Sequence, residues 1–363
     1  MPTLLQEQSF DTATADAFAE RVSGMLNAGA ATIMLSVGYR TGLFDTLAKL
    51  PPATSPTIAE RAGLAERYVR EWLAVLVMAD VVLYDPDSRT YHLPPEHAAC
   101  LTTDAPLGNL SGFGQHIALL GQVQDRVIEC FKTGGGTLYD DYPCFHQIMA
   151  EDSHQTVVAQ LFDAILPLVP GLMQRLEQGI VVMDAGCGRG VALLEMAKRY
   201  PHSSFIGYDL CHDAIRYGQD RAAEAGLTNL RYKQRDLSIY DESERFDLIT
   251  SFDAVHDQKD PQALLHALYR ALKPGGFHLV QEIGASAHLE KNKDFPFAAL
   301  LYAVSCFHCM AVSLGQGGVG LGTMWGWETA QAMLQRAGYT DIQQHSLPHD
   351  PVNVWFVARK APA

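Results

Sequence analysis

The feature that most constrains this chain is a change of rhythm near residue 180. From there onward short apolar runs alternate with helix-length segments, the pattern of a parallel α/β sheet. Strands are expected at 180–183, 204–208, 230–234, 246–251 and 277–281, and, after a long insert, at 341–345 and 352–359. Helices are expected between them, ending near Tyr200 and Leu272, with a last one over 329–337. Lys273-Pro274-Gly275-Gly276 reads as the turn into the fifth strand. Seven strands with a hairpin-like end make an α/β, doubly wound sheet.

The first strand runs directly into Gly186-Cys187-Gly188-Arg189-Gly190, which opens a helix. In a doubly wound sheet ligands bind at this place, beyond the carboxyl ends of the strands. A dinucleotide loop would carry its last glycine at position 191, where this chain has Val191. Asp184 also argues against a pyrophosphate, because its carboxylate would oppose the phosphates on the helix N-terminus. A cationic nucleoside such as S-adenosylmethionine (SAM) suits that carboxylate, since its ammonium and sulfonium are both positive. The glycines let the backbone approach such a ligand closely. A second acid, Asp209, ends the second strand, 25 residues after Asp184. There a carboxylate can accept hydrogen bonds from both hydroxyls of a ribose. A third acid, Asp236, ends the third strand and can accept from an adenine amino group.

These segments resemble the class I SAM-dependent methyltransferases over residues 181–359. The resemblance rests on VVMDAGCGRG, YDL, RDL, FDAVHDQKDP and LKPGG. It implies a Rossmann-like methyltransferase sheet, with SAM held by Asp184, Gly186, Gly188, Gly190, Asp209, Leu210, Asp236, Leu237, Phe252 and Asp253. Methyl transfer is an in-line displacement, so the enzyme must align the acceptor and remove its proton. His256, after the fourth strand, resembles the general base of plant O-methyltransferases. Glu282, at the end of the fifth, matches a glutamate that flanks that base. A carboxylate on one imidazole nitrogen would fix its tautomer and raise its basicity. Glu328 lies near a second acid of that family, although an acid in the first turn of a helix needs no catalytic reason.

The first hundred residues read as helices followed by a compact unit. One helix is expected from Asp11 or Thr12 to Leu26 and a second over 30–50, ended by Pro51 and Pro52. Then come a short helix over 55–61, a turn at Gly63, a helix over 66–78, and strands at 81–84 and 90–93 around 85–89. Helix, turn, helix and hairpin make a winged helix. With the methyltransferase half, this layout resembles caffeic-acid-type small-molecule O-methyltransferases and a bacterial winged-helix subgroup. In such families the N-terminal half dimerises, which gives 1–100 as a winged-helix dimerisation domain, 101–175 as a helical connector and 176–363 as the SAM domain. Within the connector, Gly134-Gly135-Gly136 reads as a flexible point, and Asp152 and Ser153 as the cap of a helix to about Leu168.

A winged helix also suggests DNA reading, but residues 1–100 carry seven Lys or Arg against twelve Asp or Glu. The whole chain is at −14, which disfavours nucleic acid and anionic lipid as partners. A small-molecule acceptor and a homodimer partner are expected instead. The alternatives are N- or C-methylation on the same scaffold, and a SAM-binding winged-helix regulator. An Asn/Asp-Pro-Pro-Tyr run for a flipped base is missing after the fourth strand, where Phe252-Asp253-Ala254-Val255 stands.

The insert over 284–326 should wall the acceptor pocket. Tyr302, Phe307, His308, Met310, Trp325 and the adjoining Trp327 suit an apolar or aromatic acceptor. The apolar run 297–314 is polar at its centre and reads as a buried helix near a ligand rather than a membrane span. Seven cysteines and no basic-then-apolar leader over residues 1–10 suggest reduced thiols in the cytoplasm. Cys306 and Cys309 lack a second pair at zinc-finger spacing, so they read as plain thiols. Asp253, Asp257 and Asp260 are close in sequence, but the resemblance implies catalysis without metal.

Overall fold

The structure, a computed structural model, describes residues 10–105 and 108–363. The expectation about a leader at the N-terminus falls almost wholly outside the described residues. Two compact units divide the chain after residue 118, within the segment expected as a connector.

The first unit is built on one helix, Thr12–Thr41, capped by Asp11, whose Oδ1 accepts from Ala13 N at 3.0 Å and Thr14 N at 3.3 Å. This corrects the expected break near residue 27. Gly29 costs a helix only about 1 kcal/mol, less than continuity gains. Short helices Leu43–Ala48 and Ser55–Ala62 and the helix Glu66–Met78 follow. The wing is β1 (Leu83–Asp85) paired antiparallel with β2 (Thr90–His92). Phe44, Ile58, Leu73, Leu76 and Trp72 form the core. Trp72 Nε1 donates to Met34 O at 2.8 Å and so ties the long helix to it.

The second unit carries the sheet, in the order β5-β4-β3-β6-β7-β9-β8. Its strands are β3 (Val181–Ala185), β4 (Ser204–Asp209), β5 (Leu230–Gln234), β6 (Phe246–Phe252), β7 (Leu272–Ile283), β8 (Asp341–Leu347) and β9 (Asp350–Arg359). All pairs are parallel except β7 with β9 and β8 with β9. The expected turn at Lys273-Pro274-Gly275-Gly276 is an outward bulge within β7. Leu272 pairs with Phe246 and Phe277 with Leu248, so the four residues between them face Asp247 alone.

Alternate residues of each strand point to opposite faces, and each face has its own core. Met183, Ile249 and Val280 meet helices Pro261–Ala271 and Trp327–Ala337 on one side. Val182, Leu248 and Leu279 meet helix Val191–Arg199 and residues 157–176 on the other. The chain leaves β3 toward β4 and later returns to β6 on its opposite edge. The topological switch therefore lies at the carboxyl end of β3.

Before the sheet, helix Phe145–Thr156 contains Asp152 and Ser153 in its interior, which corrects their reading as a cap. In the insert, Ala298–Val304, the π turn Ser305–Cys309 and Met310–Gly315 run on continuously. The stretch Ala298–Gly315 is long and apolar enough to cross a membrane, with a mean hydropathy of 1.7, yet His308, Cys309, Ala311, Val312 and Ser313 are buried in the protein. Gly136 is packed against this stretch: a Cβ there would lie 1.9 Å from Ala311 O. It needs glycine for close approach, where flexibility was expected.

Candidate functional site

The site is assembled at the carboxyl ends of β3, β4, β6 and β7. Gly186 N and Cys187 N donate to Tyr208 O at 2.9 and 3.0 Å, which turns the loop back over β4. Gly190 has φ +68, and a Cβ on it would lie 2.1 Å from the Tyr232 ring, so only glycine fits. The Tyr232 hydroxyl donates to Gly190 O at 2.6 Å and locks the loop against β5.

Asp184 is 4% exposed and accepts from Thr250 Oγ1 on β6 at 2.7 Å. Burial pushes its pKa up to about 7, against the lowering effect of Thr250 and with a smaller push from Asp209. A buried acid held with a single donor is poised for a cation. Asp209 accepts from Gly188 N at 2.8 Å on one oxygen and from Cys211 N at 2.9 Å on the other. Each oxygen keeps lone pairs for further donors. Asp236 is exposed and caps a short turn through Ser238 N at 2.8 Å, while Leu237 is buried in the core. Leu210 is 39% exposed, and Phe252 packs edge-on to Trp355 at 5.6 Å.

Asp253 stands out twice. Its φ is +55, uncommon for a residue other than glycine, and its buried Oδ1 has no hydrogen-bond partner among the described residues. Its pKa is pushed up to about 7 by burial, partly offset by His256 and reinforced by Glu282. An orphaned buried acceptor beside a glycine loop, with Asp184 close by in the fold, is what a cationic ligand would satisfy. These carboxylate acceptors fit the ammonium and ribose hydroxyls of SAM.

A second cluster adjoins the first. His256 is 2% exposed and its Nδ1 lies 2.6 Å from Glu282 Oε2, with Asp253 Oδ1 at 3.7 Å. Glu282 is fully buried and accepts also from Val255 N at 3.1 Å and Trp325 Nε1 at 3.2 Å. Burial opposes the imidazolium, but Glu282 and the Cys309 sulfur together hold the His256 pKa well above 6.5. Glu328 is engaged elsewhere, accepting from Ser286 Oγ at 2.6 Å and Ala287 N at 3.0 Å.

Sequence reasoning did not find Tyr139, whose hydroxyl donates to Asp257 Oδ2 at 2.5 Å, nor Cys309 beside His256. Trp325 was singled out for its apolar surface and not for its N–H. These partners are separated by 118 residues for Tyr139 and 43 for Trp325, beyond any local signal. Beside the glycine loop opens a cavity of about 710 Å³. Tyr139, Phe145, His146, Arg189, Leu210 and Cys211 are among its lining. It lies within the usual range of ligand sites, about 300–1,000 Å³. Asp236 and His256 are not in that lining.

Residues 29–103 match the Rv2258c-like winged HTH domain and residues 176–338 a methyltransferase domain. The chain thus carries a winged HTH domain followed by a methyltransferase domain. Human N-acetylserotonin methyltransferase, solved in complex with SAM, shares the fold with a TM-score of 0.68 at 17% identity, over 98% of this chain and 100% of that one. Ubiquinone biosynthesis O-methyltransferase of Leptothrix cholodnii is 29% identical over 107 residues, 29% of this chain and 45% of that protein. (S)-coclaurine N-methyltransferase of Papaver somniferum is 27% identical over 125 residues, 34% of this chain and 36% of that protein. The chain thus matches less than half the length of either curated relative.

Proposed function

We propose that this protein transfers a methyl group from SAM to a hydroxyl of a small apolar or aromatic molecule. The observation that carries the reading is the His256–Glu282 pair, 2.6 Å apart and buried beside the glycine loop. When bound, SAM supplies an electrophilic methyl group. The chain's own residues do the rest. Asp184 and Asp253 meet the positive charge, and Asp209 takes the ribose hydroxyls. Gly186, Gly188 and Gly190 let the backbone approach, and Leu210 and Phe252 flank the nucleoside. Asp236 and Leu237 bound the adenine side.

With Nδ1 bonded to Glu282, Nε2 of His256 is left to take the acceptor's proton. Glu282 fixes the ring through three donors and stabilises the imidazolium that forms. Because Glu282 holds the His256 pKa high, the base form is populated toward alkaline pH. His256 is 2% exposed, so an acceptor reaches it only when the cover of the site moves. The insert aromatics Tyr302, Phe307 and Trp325 shape an apolar acceptor pocket.

We place the protein in the cytoplasm, on the strength of seven free cysteines, and as a homodimer through the helix Thr12–Thr41. That helix exposes Phe18, Met25, Leu26 and Ile33. Nucleic acid is not proposed as a partner. Both arginines of the helix Glu66–Met78 are paired with glutamates of the same helix, Arg67 with Glu71 and Arg70 with Glu66. The test is turnover with a hydroxyl acceptor. His256→Gln should cut it about a hundredfold while leaving SAM affinity nearly intact. A variant that keeps most of its turnover would remove His256 from the role of base.

A further inference from the structure

One group of ligating side chains has no part in methyl transfer. His146, at the start of helix Phe145–Thr156, faces Cys211 and Asp213 at the start of helix His212–Glu224. One ligand atom from each lies within 4.8 Å of the other two, and His146 Nε2 is 3.7 Å from Asp213 Oδ1. Zinc binds nitrogen at about 2.0–2.1 Å, carboxylate oxygen at about 2.0–2.2 Å and sulfur at about 2.3 Å, so ligands around a tetrahedral ion stand about 3.3–3.6 Å apart. Ion binding therefore draws the three ligand atoms closer than their present spacing of up to 4.8 Å. The set is mixed nitrogen, sulfur and oxygen, which suits zinc-like ions rather than magnesium or calcium.

All three residues line the 710 Å³ cavity. Asp140 also lines the cavity, and a bound metal ion displaces the Cys211 thiol proton to solvent. A second ligand cluster among the described residues, Asp253 with His256 and Glu282, is less suited. There His256 Nδ1 and Glu282 Oε2 already bind each other at 2.6 Å.

We propose that His146, Cys211 and Asp213 form a site for a zinc-like divalent cation whose occupancy hinders cofactor entry. Three protein ligands leave a fourth position, on the cavity side, for water or an incoming donor. The site adjoins Asp209 and Leu210, so the hindrance rests on the SAM reading above, whereas the metal site does not.

Cobalt(II) titrated into the full-length chain tests the site without SAM present. The expected result is one ion per chain with a sulfur-to-cobalt charge-transfer band that excess zinc bleaches. Cys211→Ser should abolish the band, and His146→Ala should weaken binding at least about tenfold. Cys144→Ser, at a nearby exposed thiol, and Cys309→Ser should both keep the band. A band that survives Cys211→Ser in a folded protein, or no stoichiometric binding at all, overturns the site. SAM titrations with and without zinc test the hindrance. Zinc should weaken SAM binding to the wild type but not to Cys211→Ser. Equal SAM affinity in metal-loaded and metal-free wild type overturns that part while leaving the cobalt result standing.

Discussion

Replacing Glu282 by glutamine keeps its shape and removes its charge. The buried carboxylate accepts from Val255 N at 3.1 Å, His256 Nδ1 at 2.6 Å and Trp325 Nε1 at 3.2 Å. A glutamine amide has one acceptor oxygen, so at least one of these donors must face an NH2 group. Losing a hydrogen bond to a charged group costs about 1.5–3 kcal/mol, and one pKa unit is about 1.4 kcal/mol. The imidazolium of His256 loses the partner that holds its pKa above 6.5, and burial then drives it down. The expected shift is about one to two units toward acid. Single-turnover methyl transfer followed across neutral and alkaline pH would show it. In the wild type the rate should rise with pH as His256 loses its proton, with the midpoint above 6.5. In Glu282→Gln that limb should move to lower pH, and its plateau should fall about tenfold because a weaker base takes the proton. An unmoved limb in a variant with native circular dichroism would refute the claim that Glu282 sets the base.

Asp209→Ala should weaken SAM binding by about 1.5–3 kcal/mol in calorimetric titration, and unchanged affinity in the folded variant would remove Asp209 from the cofactor site. His278 is fully buried between Ser251 Oγ at 2.9 Å and Tyr339 OH at 3.0 Å, and burial lowers its pKa to about 3. The unfolded chain therefore gains a proton below 6.5 that the native state refuses until about 3, so this stability is complete above 6.5 and is lost as pH falls toward 3. Denaturant unfolding should show a loss of up to about 1.4 kcal/mol per pH unit in that window, and His278→Gln should lack that component; equal slopes would contradict it. Light scattering at micromolar concentration should give twice the chain mass, and a clean monomer would leave the exposed face of Thr12–Thr41 without its proposed partner.

Most of the sheet was legible because its strands are short apolar runs set off by glycine and acid. Asp184, Asp209 and Glu282 lie in the last two residues of their strands, Asp236 two residues past β5 and His256 four past β6, all at the carboxyl edge of the sheet. What local reading misjudged were signals with a second use. The helix expected to end near Leu26 runs on to Thr41, and Asp152 and Ser153 were read as a cap although their helix has already begun at Phe145. Gly136 looked flexible because its neighbours are glycines, but the backbone of a helix some 175 residues away demands it. The N–H of Trp325 and the hydroxyl of Tyr139 enter the site only through the folded chain, so no periodicity announces them.

Methyl transfer itself tests the central claim most directly. The full chain, incubated with methyl-labelled SAM and a panel of phenols, amines and acidic carbons, should label a hydroxyl acceptor. The label should fall to near background with His256→Gln. Label on an amine or carbon alone, or no transfer to any acceptor by a chain that binds SAM, would contradict the assignment of this protein as a hydroxyl methyltransferase.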